Sequence, residues 1–133
     1  MIGNKILHAE EILHNLHIST EEYLGLIQPQ YTDMGLIPSM YSVFKEINPN
    51  MTPRRQKLYF SYMCIMLYSP RALLDGRIIN YLIFEVATTV GYKSSTSVTK
   101  SIRMWRMYKI YPGFKAIIDN SISAIMHRIK QSN

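Results

Sequence analysis

An all-α fold, with a helix-turn-helix core, an additional N-terminal helix and a C-terminal helix, is what the 133-residue sequence predicts. Three observations carry the prediction. Apolar residues recur at three- and four-residue spacings in successive windows, and no window alternates with period two for long. Proline or glycine stands at the joints between those windows. With 47% hydrophobic and 18% charged residues, the chain holds enough apolar material for one packed domain and is not a wholly disordered one.

The elements follow in order. Over residues 4–17, Ile6, Leu7, Ala9, Ile12, Leu13 and Leu16 form an apolar side, with Glu10, Glu11 and Asn15 between them. Thr20 ahead of Glu21 and Glu22 predicts a cap for a short helix through Ile27, which Pro29 stops. Residues 28–50 carry Pro29, Gly35, Pro38 and Pro49, and read as loop with a short helix near 39–47.

Thr52-Pro53 is a strong helix start, an N-cap hydroxyl followed by a proline whose missing N–H would have no partner there anyway. That helix should run to about Tyr68 and form the centre of the core, because Leu58, Tyr59, Tyr62, Met63, Ile65, Met66 and Leu67 make it apolar on most sides. Ser69-Pro70 repeats the start signal for a short helix over 70–75 that ends at Gly76. A helix over 77–90 should bury Ile78, Ile79, Leu82, Ile83, Val86, Ala87 and Val90, with Gly91 as its left-handed stop. Helices over 95–110 and 114–130 complete the chain, separated by Pro112-Gly113.

Charge divides the chain unevenly. Residues 1–52 hold two basic residues against six acidic ones, a net −4; residues 53–133 hold thirteen against three, a net +10. This suggests an acidic helical extension over 1–50, serving interaction or oligomerisation, and a basic body over 51–133. So cationic a segment attracts polyanions, nucleic acid first, because neutralised phosphates release counterions. One cysteine, Cys64, gives neither a disulfide framework nor a thiolate metal cage. No apolar run approaches the roughly 18 residues that cross a bilayer, and no basic-then-apolar secretory pattern opens the chain. The expectation is a cytoplasmic protein without membrane association.

Residues 85–103 carry the functional reading. Ala87 lets a second helix approach the first, Gly91 makes the turn, Ser94 or Ser95 caps the second helix, and Val98 and Ile102 face back. At about 100° per residue, with Val98 at zero, Ile102 and Trp105 fall within roughly 40° of it. Thr96, Lys100, Arg103 and Met107 fall at about 140–200°, on the opposite side, flanked by Thr99 and Met104. That outward face carries hydroxyl, amine and guanidinium groups and no carboxylate. Thr96, Thr99, Lys100 and Arg103 are therefore placed nearest base edges, and Lys93, Ser94 and Ser95 nearest the phosphates, where free helix N–H groups would assist. Arg71 and Arg77, just ahead of this segment, are expected to flank the groove. Arg54, Arg55 and Lys57 are either a further basic contribution or simply a solvated helix end.

The stretch Gly91-Tyr92-Lys93-Ser94-Ser95-Thr96-Ser97-Val98, followed by Ile102, resembles the signature of the DNA-binding domain of the replication initiator DnaA, within the Trp-repressor-like group. The resemblance implies that Lys93 stands where that family has a base-contacting arginine, and that Thr96 and Ser97 stand at its paired threonines. Ser94 and Ser95 replace its acidic and histidine positions, and there is no ATPase module, so an initiator role does not carry over. Residues 68–114 also look like small helix-turn-helix proteins of bacterial phages and mobile elements, which implies a sequence-specific or architectural DNA binder; the expected role is transcriptional or replication-linked regulation.

Other constellations are weaker. His14 and His17 with Glu10 have ligand-like spacing but no further donors nearby, so no metal is expected. Tyr59, Tyr62 and Tyr68 read as core; Tyr92, Tyr108 and Tyr111 read as core more readily than as base-stacking residues. Sparse carboxylates and the absence of a Gly-rich phosphate loop argue against an enzyme, a cofactor or a small-molecule substrate. The expected partners are double-stranded DNA and a second copy of the chain, since one helix reads few bases. Residues 1–50, or the stripe Ile117, Ile118, Ile122, Ile125 and Ile129, would supply the dimer face. Two alternatives stand: a small terminase subunit, to whose opening motif Thr52-Pro53-Arg54-Arg55-Gln56-Lys57 is similar, and an adaptor that binds an acidic protein.

Overall fold

Asp33 begins the first helical turn: its carboxylate accepts a hydrogen bond from the Gly35 backbone N–H at 2.9 Å. The structure, a computed structural model, describes residues 28–132. The helices expected over 4–17 and 20–27, and the His14–His17 pair, lie outside these residues. A 3-10 turn (Met34–Leu36) leads into α1 (Ile37–Ile47), which buries Ile37, Met40, Tyr41 and Phe44, one face of a helix. At its end Asn48 Nδ2 donates to Phe44 O and Ser121 Oγ, both at 3.0 Å, and so ties α1 to the last helix.

The helix α2 (Pro53–Tyr68) starts where Thr52 and Pro53 predict, with Thr52 Oγ1 accepting from the Arg55 N–H at 3.3 Å. From Phe60 to Ile65 every residue is buried, as are Leu67 and Tyr68, so α2 is the central element. Ser69 ends it by accepting a backbone hydrogen bond from Ile79 on its Oγ at 3.1 Å. The short α3 (Ala72–Asp75) stops at Gly76, at φ 76°.

Here the structure departs from the sequence reading. The helix expected from residue 77 begins five residues later, as α4 (Leu82–Val90). The Ile79 N–H is held by Ser69, and Tyr81 sits in the left-handed region at φ 70°, which no helix continues through. Ile79, expected to be buried, is exposed in consequence.

The helix expected over 95–110 is also broken, into α5 (Thr96–Lys100), a 3-10 turn (Ser101–Met104) and α6 (Trp105–Ile110). The buried Ser101 hydroxyl donates to Val98 O at 2.6 Å, a local bond that accompanies tightening of the backbone. A 3-10 segment turns about 120° per residue, so later side chains rotate away from an α-helical projection. Met104 is therefore buried and Met107 packs against the core, although both were expected on the outer side.

The final helix α7 (Pro112–Ser132) starts at Pro112, so that proline opens the helix. It packs against α1 and α6, with Phe114, Ile118 and Ile125 buried. Of the isoleucine stripe offered above as a dimer face, Ile118, Ile122, Ile125 and Ile129 are used in the chain's own core. Residues 37–47 join the same core, so the charge change near residue 52 is not a boundary of packing. Arg128 pairs with Glu46 across α7 and α1. Among the described residues there is no strand, and no helix is long and apolar enough to cross a membrane.

Three tyrosines of the core make stability sensitive to alkaline pH. Burial pushes the phenols of Tyr62, Tyr68 and Tyr108 above their ordinary value of 10.0, and Tyr108 also donates to Asp119 at 2.6 Å. A group raised in the folded state contributes stability below its unfolded pKa and loses it as pH climbs through the folded one. Urea midpoints should be level through neutral pH and fall steadily above about pH 10, the unfolded tyrosine value. The Tyr62 hydroxyl is buried with no hydrogen-bond partner among the described residues. Removing an unsatisfied buried hydroxyl relieves a desolvation penalty, so Tyr62→Phe should raise stability by about 1 kcal/mol in urea unfolding.

Candidate nucleic-acid interface

Two short helices meet at a tight turn. Gly91, at φ 86°, ends α4 while its own N–H and that of Tyr92 both donate to Ala87 O, at 3.0 and 2.9 Å. Ser94 rather than Ser95 supplies the side-chain cap of α5: its hydroxyl accepts from the Thr96 N–H at 3.2 Å and donates to Thr96 Oγ1 at 3.0 Å. Ser95 serves through its carbonyl, which accepts from Val98 and Thr99. The first free N–H of α5 is thus already taken, and the expectation of helix N–H groups open to a phosphate is reduced. Val98 is fully buried and anchors α5 against α4 and α2.

With that anchor in place, Lys93, Ser94, Thr96, Thr99, Lys100 and Arg103 are all exposed, and Ser95 is half-buried. The 3-10 turn adds an alignment that an α-helical projection misses. Positions three apart eclipse one another in a 3-10 segment, so Lys100 and Arg103 stand in line. Arg106 and Lys109 continue the three-residue spacing, and both are exposed. Lys109 Nζ also lies 5.6 Å above the Trp105 ring. Lys93, Lys100, Arg103 and Arg106 pair with no carboxylate among the described residues. From residue 86 to 118 the sequence contains no Asp or Glu at all.

The beginning of α2 reaches the same place. Lys57 Nζ lies 5.8 Å above the Tyr92 ring and 3.9 Å from where a Cβ on Gly91 would stand. Arg54 is close enough for its charge to act on the Tyr92 phenol, opposing the upward push of burial, as does a hydrogen bond with Ser61. Arg54 and Lys57 therefore extend the cationic surface beyond the turn. No signal in the sequence joins residue 57 to residue 91; only the antiparallel run of α2 and α4 does. Arg106, by contrast, was legible as the third member of a row of cations spaced by three.

Arg71 and Arg77 are placed elsewhere. They line an open cleft of about 730 Å³ with Tyr68, Ser69 and Ile79, at the far end of α2. Lys57 and Ser69 are separated by about 18 Å of helix axis, so the two arginines do not flank the Gly91 turn. Among the described residues no three of His, Cys, Asp and Glu stand together as a metal site. Cys64 is fully buried, and burial pushes its thiol well above the usual range.

The turn itself can be tested. An alanine at residue 91 meets open space, its nearest neighbour being the flexible end of Lys57, but it must adopt a left-handed backbone. Gly91→Ala should therefore destabilise by about 1–2 kcal/mol in urea unfolding, the usual penalty for that conformation. Comparison of the chain with protein-family models, curated proteins and solved structures gives no match, so the likeness of residues 91–102 to an initiator signature rests on those residues alone.

Proposed function

We propose that the chain is a non-enzymatic, double-stranded-DNA-binding regulator that lays residues 96–106 in the major groove. The observation that carries this reading is the row Lys100, Arg103 and Arg106, exposed and without a carboxylate partner among the described residues, on a stretch without acids. A row of this kind gains free energy from a polyanion through counterion release. In this reading Lys93, Arg54 and Lys57 hold the phosphates on either side of the turn. Thr96, Thr99, Lys100 and Arg103 reach the base edges, where a guanidinium can take guanine O6 and N7 together and a threonine methyl can meet a thymine methyl.

Fluorescence anisotropy with labelled duplexes, first of random and then of selected sequence, tests the reading. Affinity should fall steeply between about 50 and 200 mM salt. Arg103→Ala should weaken binding to the selected site by about 1–3 kcal/mol and relax its sequence preference. Lys93→Ala should weaken all duplexes alike and reduce the salt slope by about 1. Salt-independent affinity, or two variants that bind as the parent does, would show the groove assignment to be wrong.

A further inference from the structure

The cationic row runs into apolar side chains that the core leaves outside. Ile110 stands four residues beyond Arg106, one turn farther along the same side of α6. Ile110 and the adjoining Tyr111 are each 58% exposed. Their neighbours are drawn inward: Trp105 stacks on Tyr108 with ring centroids 5.8 Å apart, Tyr108 donates to Asp119, and Phe114 is buried.

The corner that presents the pair is firmly held. Tyr111 precedes Pro112, whose ring disfavours helix at the residue before it, and α6 ends there with Tyr111 at φ −104° and ψ 107°. The Tyr111 N–H donates to Met107 O at 2.8 Å, and its carbonyl accepts from the Lys115 N–H at 3.1 Å. One residue thus closes α6 and opens α7. Gly113 is a second mark of an outside partner. Glycine loosens a helix, yet the backbone here is not left-handed, and a Cβ would meet nothing within 4 Å. Among the described residues nothing requires the missing side chain, whereas a ligand pressed against the backbone does.

Such a ligand has to satisfy cations and apolar groups at one place, on a stretch from residue 86 to 118 without acids. A nucleic-acid duplex offers both, phosphates outside and base faces within its stack. Apolar side chains reach those faces by partly parting a base step, which kinks the duplex. Two side chains at one corner are too small an apolar area for a lipid surface, which is served by the long face of an amphipathic helix.

We infer, resting on the duplex binding proposed above, that Ile110 and Tyr111 form a wedge that parts a base step beside the groove holding residues 96–106 and bends the duplex. Sequence preference then has a source apart from Arg103. The preferred sites carry a pyrimidine–purine step, TA or CA/TG, where unstacking costs least.

Two end-labelled duplexes of about 30 bp and equal A·T content test the wedge, one of alternating TA steps and one of stiff A-tracts. Anisotropy reads affinity, and energy transfer between the ends reads bending. The parent should bind the alternating duplex about tenfold tighter and bring its ends together. Ile110→Ala combined with Tyr111→Ala, both at exposed positions, should keep the parent's urea midpoint and salt slope, bind the two duplexes alike and leave their ends apart. Salt-dependent binding by a parent that leaves the alternating duplex straight, or a double variant that still bends it, would overturn the wedge while the proposed function stands. A parent that binds neither duplex at low salt removes both. A straight duplex, together with binding to phosphatidylserine vesicles that the double variant loses, would assign the pair to a lipid surface instead.

Discussion

The all-round burial of one helix is the constraint on which the rest of the structure depends. From Phe60 onward α2 has almost no solvent face, so it can exist only if other helices enclose it. α1, α4, the 3-10 turn and α7 all pack against it. The aromatic contacts follow the same logic: Tyr41 and Phe44 meet Phe60 from one side, while Phe114 meets Tyr59 and Tyr62 from another. Because α2 is 16 residues long, its two ends are well separated. The cationic surface at the Gly91 turn gathers at the first end, and the cleft beside Tyr68 at the second.

The distribution of charge acquires a meaning from this geometry. Thirteen basic residues are scattered along residues 53–133 in sequence, and the fold gathers eight of them into two places. Arg54, Lys57, Lys93, Lys100, Arg103 and Arg106 lie around α5 and the start of α2, while Arg71 and Arg77 lie in the cleft. On α1 and α7, Glu46 meets Arg128 and Asp119 meets Lys115. Those pairs are exposed and contribute little stability.

Much of the fold was legible in the sequence because local chemistry determined it. The Thr52-Pro53 start, the glycine stops at residues 76 and 91 and the inward Val98 each depend on one or two residues and their neighbours. What was not legible depended on tertiary bonds. The late start of α4 follows from Ser69 holding Ile79, ten residues away, and from the conformation of Tyr81. The break at residues 101–104 accompanies a serine hydroxyl turned back on Val98, and it carries Met104 into the core and aligns Lys100 with Arg103. For the candidate site, the sequence pointed to Lys93, Lys100 and Arg103, and all three are exposed around the Gly91 turn. It placed Arg71 and Arg77 by proximity along the chain, which the length of α2 overrides.

The most direct measurement of the central claim is an NMR footprint: backbone amide shifts of the full-length protein recorded as a duplex is added. Perturbations concentrated at residues 93–106, with a second group at 54–57 across the turn, are what the account predicts. Perturbations concentrated instead at residues 71–84, or none with duplex at low salt, would contradict it.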